Sequence, residues 1–246
     1  MVVDFDHYSK KVEFMRKNFL VVSDSNFFVD ALKKYFLPND FNFAYCITAQ
    51  DIDLNSMPKF DNKLMAYCNP MRHEHVQSVT KQIIDMHESI DGLIIFLNSE
   101  GGEYFSTSPD QWLDYWNYKV LGSIRFINQI SKHMKKNKKG KIINILNLEA
   151  RFPNLINAVG NSADMGLMNL TKAMAAELAP LNINCNSISL GDFEFTKFNN
   201  KMNDIPINRQ GDSSDLMSLI DYLLTGNSSY IVGENINLDG GFSRIL

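Results

Sequence analysis

This chain of 246 residues has few cysteines, no long apolar run and only a small net charge. The three cysteines are Cys46, Cys68 and Cys185, and they are scattered over apolar stretches. Their odd number and this setting predict buried thiols in a reducing compartment, and neither disulfides nor a metal site. No apolar run is long enough to cross a membrane, and the N-terminus has no signal-peptide core. A net charge of −4 gives no indication of nucleic-acid binding. We therefore expect a cytoplasmic protein with no membrane or nucleic-acid partner.

Glycine is missing where one common class of cofactor would need it, since none occurs before Gly92. The turn after the first predicted strand, residues 19–22, consists of Ser23, Asp24, Ser25 and Asn26. In α/β domains that bind a dinucleotide this turn is glycine-rich, because the backbone must approach the pyrophosphate. Here Asp24 adds negative charge, and Phe27 and Phe28 add bulk. All four turn residues are good helix N-caps, so we interpret the turn as a cap for a helix at residues 27–36 and expect no cofactor there.

The centre of the chain has the pattern of a strand, a helix and a second strand. Residues 140–146 are short, apolar and β-branched, which predicts a buried strand. Apolar residues recur at helical spacing from Asn161 to Leu178, Pro180 ends this helix, and a second strand covers residues 183–191. These three elements predict a right-handed crossover in a parallel sheet. With 45% hydrophobic residues, the chain can form one domain with a full core.

Two stretches, GKIINI…LTKAMAAELAPLNINCNSISLG and YIVGENINLDGG, resemble the short-chain dehydrogenase/reductases, particularly the 3-oxoacyl-acyl-carrier-protein reductase type. The resemblance is gap-free from about Lys119 to Gly191 and looser to Ser243. It implies a three-layer Rossmann-like doubly wound α/β fold, with about seven parallel strands and helices on both faces. We expect this single domain at residues 18–246, after an N-terminal arm at residues 1–17.

The resemblance also assigns four catalytic places, and this chain differs from the family at each of them. The family's serine, tyrosine, lysine and asparagine correspond here to Asn147, Gly160, Asp164 and Lys119. Gly160 has no side chain and cannot transfer a proton. No tyrosine lies between Asn147 and Leu190, so a small shift in the alignment does not restore the motif. We hypothesise that Lys119 and Asp164, which the resemblance places on adjacent helices facing one cleft, form an ion pair.

These differences favour a pseudoenzyme with no catalytic residues and no cofactor, which serves as a non-catalytic subunit or a binding module. The resemblance implies a pathway similar to fatty-acid or polyketide synthesis. The resemblance implies a homo-oligomer, as dimer or tetramer, or a hetero-oligomer with an active relative. The basic run at residues 135–139 is interpreted as a solvated turn, or alternatively as a dock for an acidic acyl carrier protein.

Two alternatives remain open. One is an oxidoreductase that binds NAD(P) in an unusual mode. The other is a cofactor-independent enzyme using acid/base groups in the altered cleft: Lys119, Asn147, Glu149, Arg151 and Asp164.

Several further expectations concern single elements. Bulky Phe96 and Leu97 at the end of the fourth predicted strand, residues 91–98, are expected to fill a cofactor cleft. Asp51 or Asp53 could accept a ribose hydroxyl, and Thr196 corresponds to a threonine that contacts the nicotinamide in the family.

A run of charged and histidine residues is interpreted as a solvated first helical turn and not as a metal site: Arg72, His73, Glu74 and His75. One long helix is predicted at residues 111–134, and a final strand at residues 230–238.

Overall fold

The computed structural model describes residues 17–36, 41–48, 57–61, 64–87, 89–98, 101–153, 155–196 and 205–244. Its centre is one sheet of seven parallel strands in the order β3-β2-β1-β4-β5-β6-β7. The strands are β1 (Lys17–Ser23), β2 (Phe41–Thr48), β3 (Met65–Cys68), β4 (Gly92–Phe96), β5 (Gly140–Asn147), β6 (Ile183–Leu190) and β7 (Asn235–Leu238). The order reverses between β1 and β4, and this switch point is where open α/β sheets bind ligands.

Helices cover both faces of the sheet, as expected. They are α1 (Asn26–Phe36), α2 (His73–Met86), α3 (Pro109–Trp116), α4 (Gly122–Asn137), α5 (Ala158–Leu178) and α6 (Ser213–Thr225). One core packs α2, α4 and α5 against side chains such as Leu20 and Val22, and the other packs α1 and α6 against Phe19 and Val21. Successive residues of β1 thus enter opposite cores, as the pleat of a strand requires. The doubly wound α/β fold is therefore confirmed.

Two predicted elements differ from the structure. The final strand was expected from residue 230 but begins only at Asn235, because Gly233 has φ +69° and directs its amide to the carbonyl of Cys185. The long helix is interrupted by a π-helical segment, Asn117–Leu121, in which the Gly122 amide reaches back to the carbonyl of Asn117. The segment lies between α3 and α4, and it carries Lys119.

The cysteines, the lack of a membrane-spanning helix and the N-terminal arm were also expected from the sequence. All three cysteines are buried free thiols, as predicted. Within the described part of the chain, no helix is both long and apolar enough to cross a membrane. Lys17 already begins β1, while the rest of the predicted arm lies outside the described residues, as do Asp51 and Asp53.

Candidate functional site

The turn after β1 is held by a carboxylate at the switch point. Both oxygens of Asp24 accept a hydrogen bond from the backbone amide of Asn98, at 2.8 and 3.0 Å. The Tyr118 hydroxyl donates to Asp24 Oδ2 at 3.4 Å and lies 2.8 Å from the hydroxyl of Thr48. Burial and the nearby Asp24 raise the pKa of Tyr118. Asp24 thus connects the end of β1 to the segment after β4.

The predicted cap of α1 is confirmed. Ser25 Oγ accepts a hydrogen bond from the Phe28 amide at 3.2 Å, and the Ser25 carbonyl accepts from Val29. The Ser25 amide in turn donates to Ser23 Oγ at 3.0 Å. Side chains of the turn therefore satisfy donors at the helix N-terminus that would otherwise be available to an anion.

Five aromatic rings gather beside this turn, and we call them the phenylalanine cluster: Phe27, Phe28, Phe96, Phe193 and Phe195. Phe195, which follows β6, lies 5.2 Å from the Phe27 ring centroid and 6.2 Å from that of Phe96. Phe28 lies 5.0 Å from Phe96, and Phe193 lies 5.4 Å from Phe195.

The two bulky residues at the end of β4 belong to opposite cores. Phe28, Phe96 and Phe193 are each at most 2% exposed and pack on the face covered by α1 and α6. Leu97 belongs to the core on the opposite face, and the expectation that these two residues fill a cofactor cleft stays a prediction.

Lys119 and Asp164 form the predicted ion pair. Lys119 Nζ lies 2.7 Å from Asp164 Oδ1, and the two side chains are 1% and 0% exposed. Asp164 Oδ2 accepts from the backbone and the side-chain amide of Asn147, at 3.3 and 3.1 Å. Burial alone would lower the pKa of Lys119, but the Asp164 carboxylate and the neighbouring Tyr115 more than offset this and raise it. Three of the four predicted places therefore meet in one buried polar contact.

The fourth place, Gly160, is closed from two sides. A Cβ on Gly160 would overlap the side-chain amide of Asn157, and a Cβ on Gly101 would overlap the backbone nitrogen of Gly160. Asn157 Oδ1 accepts the Gly101 amide at 3.0 Å, and Val159 donates to the Gly102 carbonyl. The loop after β4 therefore lies directly on the first turn of α5, and a side chain at position 160 would require Asn157 to move.

The structure places the remaining candidates near this contact or in local turns. Glu149 is buried and hydrogen bonds Asn157, and burial raises its pKa. Arg151 is partly buried in the turn that follows. Thr196 Oγ1 accepts the Phe193 amide at 2.8 Å, so this hydroxyl belongs to its own turn. Sequence reasoning missed Asn157, because no spacing or residue type distinguishes it from other loop asparagines.

The prediction that the start of α2 is solvated is wrong for one residue. His75 is 1% exposed, and its Nδ1 accepts the Asn69 amide at 3.5 Å, so the ring belongs to the interior. His73 and Glu74 are exposed as expected, and Glu74 pairs with Arg72 at 3.2 Å. Among the described residues, no three histidine, cysteine or acidic side chains are grouped to hold a metal.

Comparison with known proteins identifies the family. A family model described as enoyl-(acyl carrier protein) reductase matches residues 48–243. This chain belongs to the short-chain dehydrogenase/reductases. The 3-oxoacyl-(acyl-carrier-protein) reductase of Vibrio cholerae is 25% identical over 198 residues, covering 75% of this chain and 80% of the relative. Nodulation protein G of Rhizobium meliloti is 24% identical over 63% of this chain and 69% of its own.

Solved structures of this fold are also similar. A variant of actinorhodin polyketide ketoreductase with NADPH has a TM-score of 0.80 at 16% identity, covering 94% of this chain and 98% of that one. The 3-ketoacyl-(acyl-carrier-protein) reductase of Brucella melitensis, complexed with NADH, has a TM-score of 0.77 at 19% identity, covering 92% and 98%. At these identities the likeness extends to the fold of the short-chain dehydrogenase/reductases and not to the chemistry of the site.

Proposed function

We propose that this chain is a non-catalytic short-chain dehydrogenase/reductase that takes no dinucleotide and acts as a subunit or binding module. The observation that carries the proposal is the set of contacts at the switch point between β1 and β4. Asp24 holds the Asn98 amide there, and the phenylalanine cluster fills the space beside it.

The residues at the switch point do not fit a dinucleotide in the usual position. A pyrophosphate needs backbone amides and close approach of the chain at the start of the first helix. The Asp24 carboxylate would repel it, and the Phe28 amide in the first turn of α1 already donates to Ser25 Oγ. Phe27 and Phe195, in contact across the turn, would have to separate for the ligand to enter.

The four predicted catalytic places support the same proposal. Proton transfer at Gly160 would need a side chain, and Asn157 occupies the space for it. Lys119 and Asp164 are closed to solvent, so neither can reach a substrate without a rearrangement of the core. This burial also disfavours a cofactor-independent enzyme built on the same residues.

We propose that the chain acts through partner subunits, either copies of itself or an active relative. Leu113, Leu121 and Met165 are 68%, 45% and 41% exposed on the two long helical elements that the resemblance assigns to subunit contact. A carrier-protein dock is less favoured, because Lys135 and Lys139 of the basic run already pair with Glu177 and Asp91. Those two pairs lower the charge that the run could offer to an acidic partner.

The second candidate is an oxidoreductase that binds NAD(P) in an unusual mode. Its support is that similar solved structures include proteins with NADP or NADH bound. It requires the phenylalanine cluster to open and Asp24 to release Asn98.

Calorimetric and thermal-shift titrations with NADPH, NADH and their oxidised forms distinguish the two candidates. The Brucella melitensis reductase, solved with NADH, serves as the positive control. A ligand at about a hundred times its Kd stabilises a protein by about 2.7 kcal/mol, which is about 5–11 °C for a chain of this size. We expect a shift for the control and none for this chain at millimolar cofactor. Saturable one-site binding would refute the proposal and favour the oxidoreductase.

Light scattering tests the proposed subunit contact. We expect an oligomer for the native chain, and a smaller species when Leu113 and Leu121 are both replaced by glutamate. Tyr230→Glu is the matched control, since this fully exposed side chain lies outside those helices. A native chain that is monomeric at micromolar concentration would favour a hetero-oligomer, which co-purification with an active relative would then test.

A further inference from the structure

Four exposed apolar side chains lie where the loop after β4 meets the loop before α5, and we call them the loop patch. Tyr104 and Phe105 of the first loop are 63% and 97% exposed, and Leu155 and Ile156 of the second loop are 88% and 62% exposed. The two aromatic rings alone expose roughly 300 Å². Single exposed apolar residues are normal on a protein surface, but a contiguous patch of this size marks an interaction site.

Hydrogen bonds join the two loops that carry the patch. The Gly101 amide donates to Asn157 Oδ1 at 3.0 Å, and the Val159 amide donates to the Gly102 carbonyl at 3.3 Å. Each pair of patch residues is next to one of these bonds along the chain. The bonds therefore bring all four side chains to one area of the surface, at the carboxyl ends of β4 and β5.

The loop after β4 is an ordered turn that holds its aromatic rings outside the core. Thr107 Oγ1 donates to the Glu103 carbonyl at 2.6 Å, and α3 then begins with a capping box. The Tyr104 ring lies 4.9 Å from the Phe105 ring and 6.3 Å from the Trp112 ring of α3. A partner that covers this turn has little loop ordering to offset, because the backbone is already fixed.

The surroundings of the patch are acidic. Glu103, Asp110 and Asp114 are exposed on the first loop and on α3. No lysine, arginine or histidine occurs at residues 88–118. In the second loop Arg151 is the one basic residue of the sequence, and it is partly buried. This excess of negative charge favours a basic partner, and it disfavours both an acidic protein and an anionic lipid surface.

We propose that the loop patch binds a basic amphipathic helix of a partner protein. Large apolar side chains on one face of that helix pack on the four patch residues, and lysine or arginine side chains at its edges pair with Glu103, Asp110 and Asp114. This interaction goes beyond the function proposed above. None of the four patch residues takes part in the switch-point contacts, and none is among the exposed residues proposed for subunit contact.

Fluorescence anisotropy tests the proposal with a labelled leucine–lysine peptide of about 18 residues, or five helical turns, whose leucines lie on one face. One control peptide replaces the leucines by serine, and another replaces the lysines by glutamate. We expect saturable binding of the leucine–lysine peptide by the full chain and at least tenfold weaker binding of each control. Higher salt should weaken the binding, because it screens the charges at the edges. No saturable binding, or equal affinity for either control peptide, overturns the proposal.

Two variants with matched controls assign the binding to the patch and to its acidic edge. Phe105→Ser should weaken peptide binding at least tenfold, whereas Tyr230→Ser, at a fully exposed ring elsewhere, should leave it unchanged. Asp114→Asn should weaken binding severalfold and reduce its salt dependence, whereas Glu177→Gln, at an exposed carboxylate outside the patch, should change neither. Unchanged affinity in Phe105→Ser contradicts the proposal.

Two further measurements exclude other occupants of the patch. Light scattering of Phe105→Ser should show the same species as the native chain. A smaller species would mean that the patch contacts another copy of this chain, and this result would overturn the proposal. Sedimentation of the native chain with phosphatidylcholine vesicles would equally overturn it in favour of a lipid surface, and we expect none. A failure of the subunit proposal leaves these results unaffected, because they concern different residues.

Discussion

Replacing Asp164 by asparagine should reveal how strongly the core depends on its buried ion pair. The substitution keeps an acceptor for the amides of Asn147 but leaves the Lys119 ammonium without a counter-ion. Removing one partner of a buried pair typically costs about 3–5 kcal/mol. For a chain of this length that corresponds to a fall in Tm of roughly 6–20 °C. Circular dichroism during thermal and urea unfolding, at one fixed protein concentration, measures the change.

The pH dependence has a definite sign. In the native chain the raised pKa of Lys119 contributes stability that is present below about pH 10.4 and lost as pH rises through the higher folded value. In Asp164→Asn, burial lowers that pKa with only Tyr115 and Asp24 left to oppose it, so we expect the unfolded state to bind the proton more tightly. We therefore expect the deficit of the variant to shrink between about pH 6 and pH 9.

Two controls separate the ion pair from a general effect of substitution. Lys119→Met removes the other charge, and the double variant with Asp164→Asn should recover part of the single-variant loss, since it leaves no unpaired charge in the core. Glu177→Gln breaks the exposed pair with Lys135 and should cost less than about 1 kcal/mol. A loss below about 1 kcal/mol in Asp164→Asn, with no coupling to Lys119, would refute the reasoning.

Three further substitutions test other parts of the structure by the same unfolding measurements. Gly160→Ala should lower the free energy of unfolding by about 1–3 kcal/mol, because its Cβ overlaps Asn157. Gly166→Ala in the same helix has its nearest contact at 3.4 Å and should stabilise by about 0.5–1 kcal/mol. Equal effects would contradict the close packing at position 160. Phe28→Ala should cost about 3–5 kcal/mol, since this residue of the phenylalanine cluster is fully buried; a change below 1 kcal/mol would mean that the cluster is loosely packed. Ser108→Ala removes the side-chain cap of α3 and should cost about 1 kcal/mol, and no change would show that the cap is dispensable.

Periodicity in the sequence predicted the central crossover, and the family resemblance implied the rest of the fold. The apolar, β-branched run of β5 predicted that strand nearly to the residue, whereas β6 was bounded by Pro180 before it and Gly191 after it. The start of β7 was misplaced because Gly233 and its neighbours have strand-like composition, while only the coordinates show the positive φ. The π-helical segment was also hidden, since one extra residue per turn barely changes the apolar spacing.

The candidate site was predictable where it depended on charge, and not where it depended on loop geometry. Opposite charges at positions 119 and 164 predicted a pair. By contrast, the bond from Asn98 to Asp24 joins residues 74 positions apart, and no local pattern encodes it. The burial of His75 similarly depends on a neighbouring backbone amide that only the fold brings close.

The contact between Gly101 and Gly160 constrains the order in which this chain could change during evolution. A tyrosine at position 160 would first require Asn157 to leave, which would remove the acceptor for the Gly101 amide. The loop after β4 would then have to rise before the new ring could enter. Each step taken alone lowers stability, and none offers a proton-transfer group until all are complete. Reversal by single substitutions is therefore blocked by intermediates that fold less well and gain nothing in return.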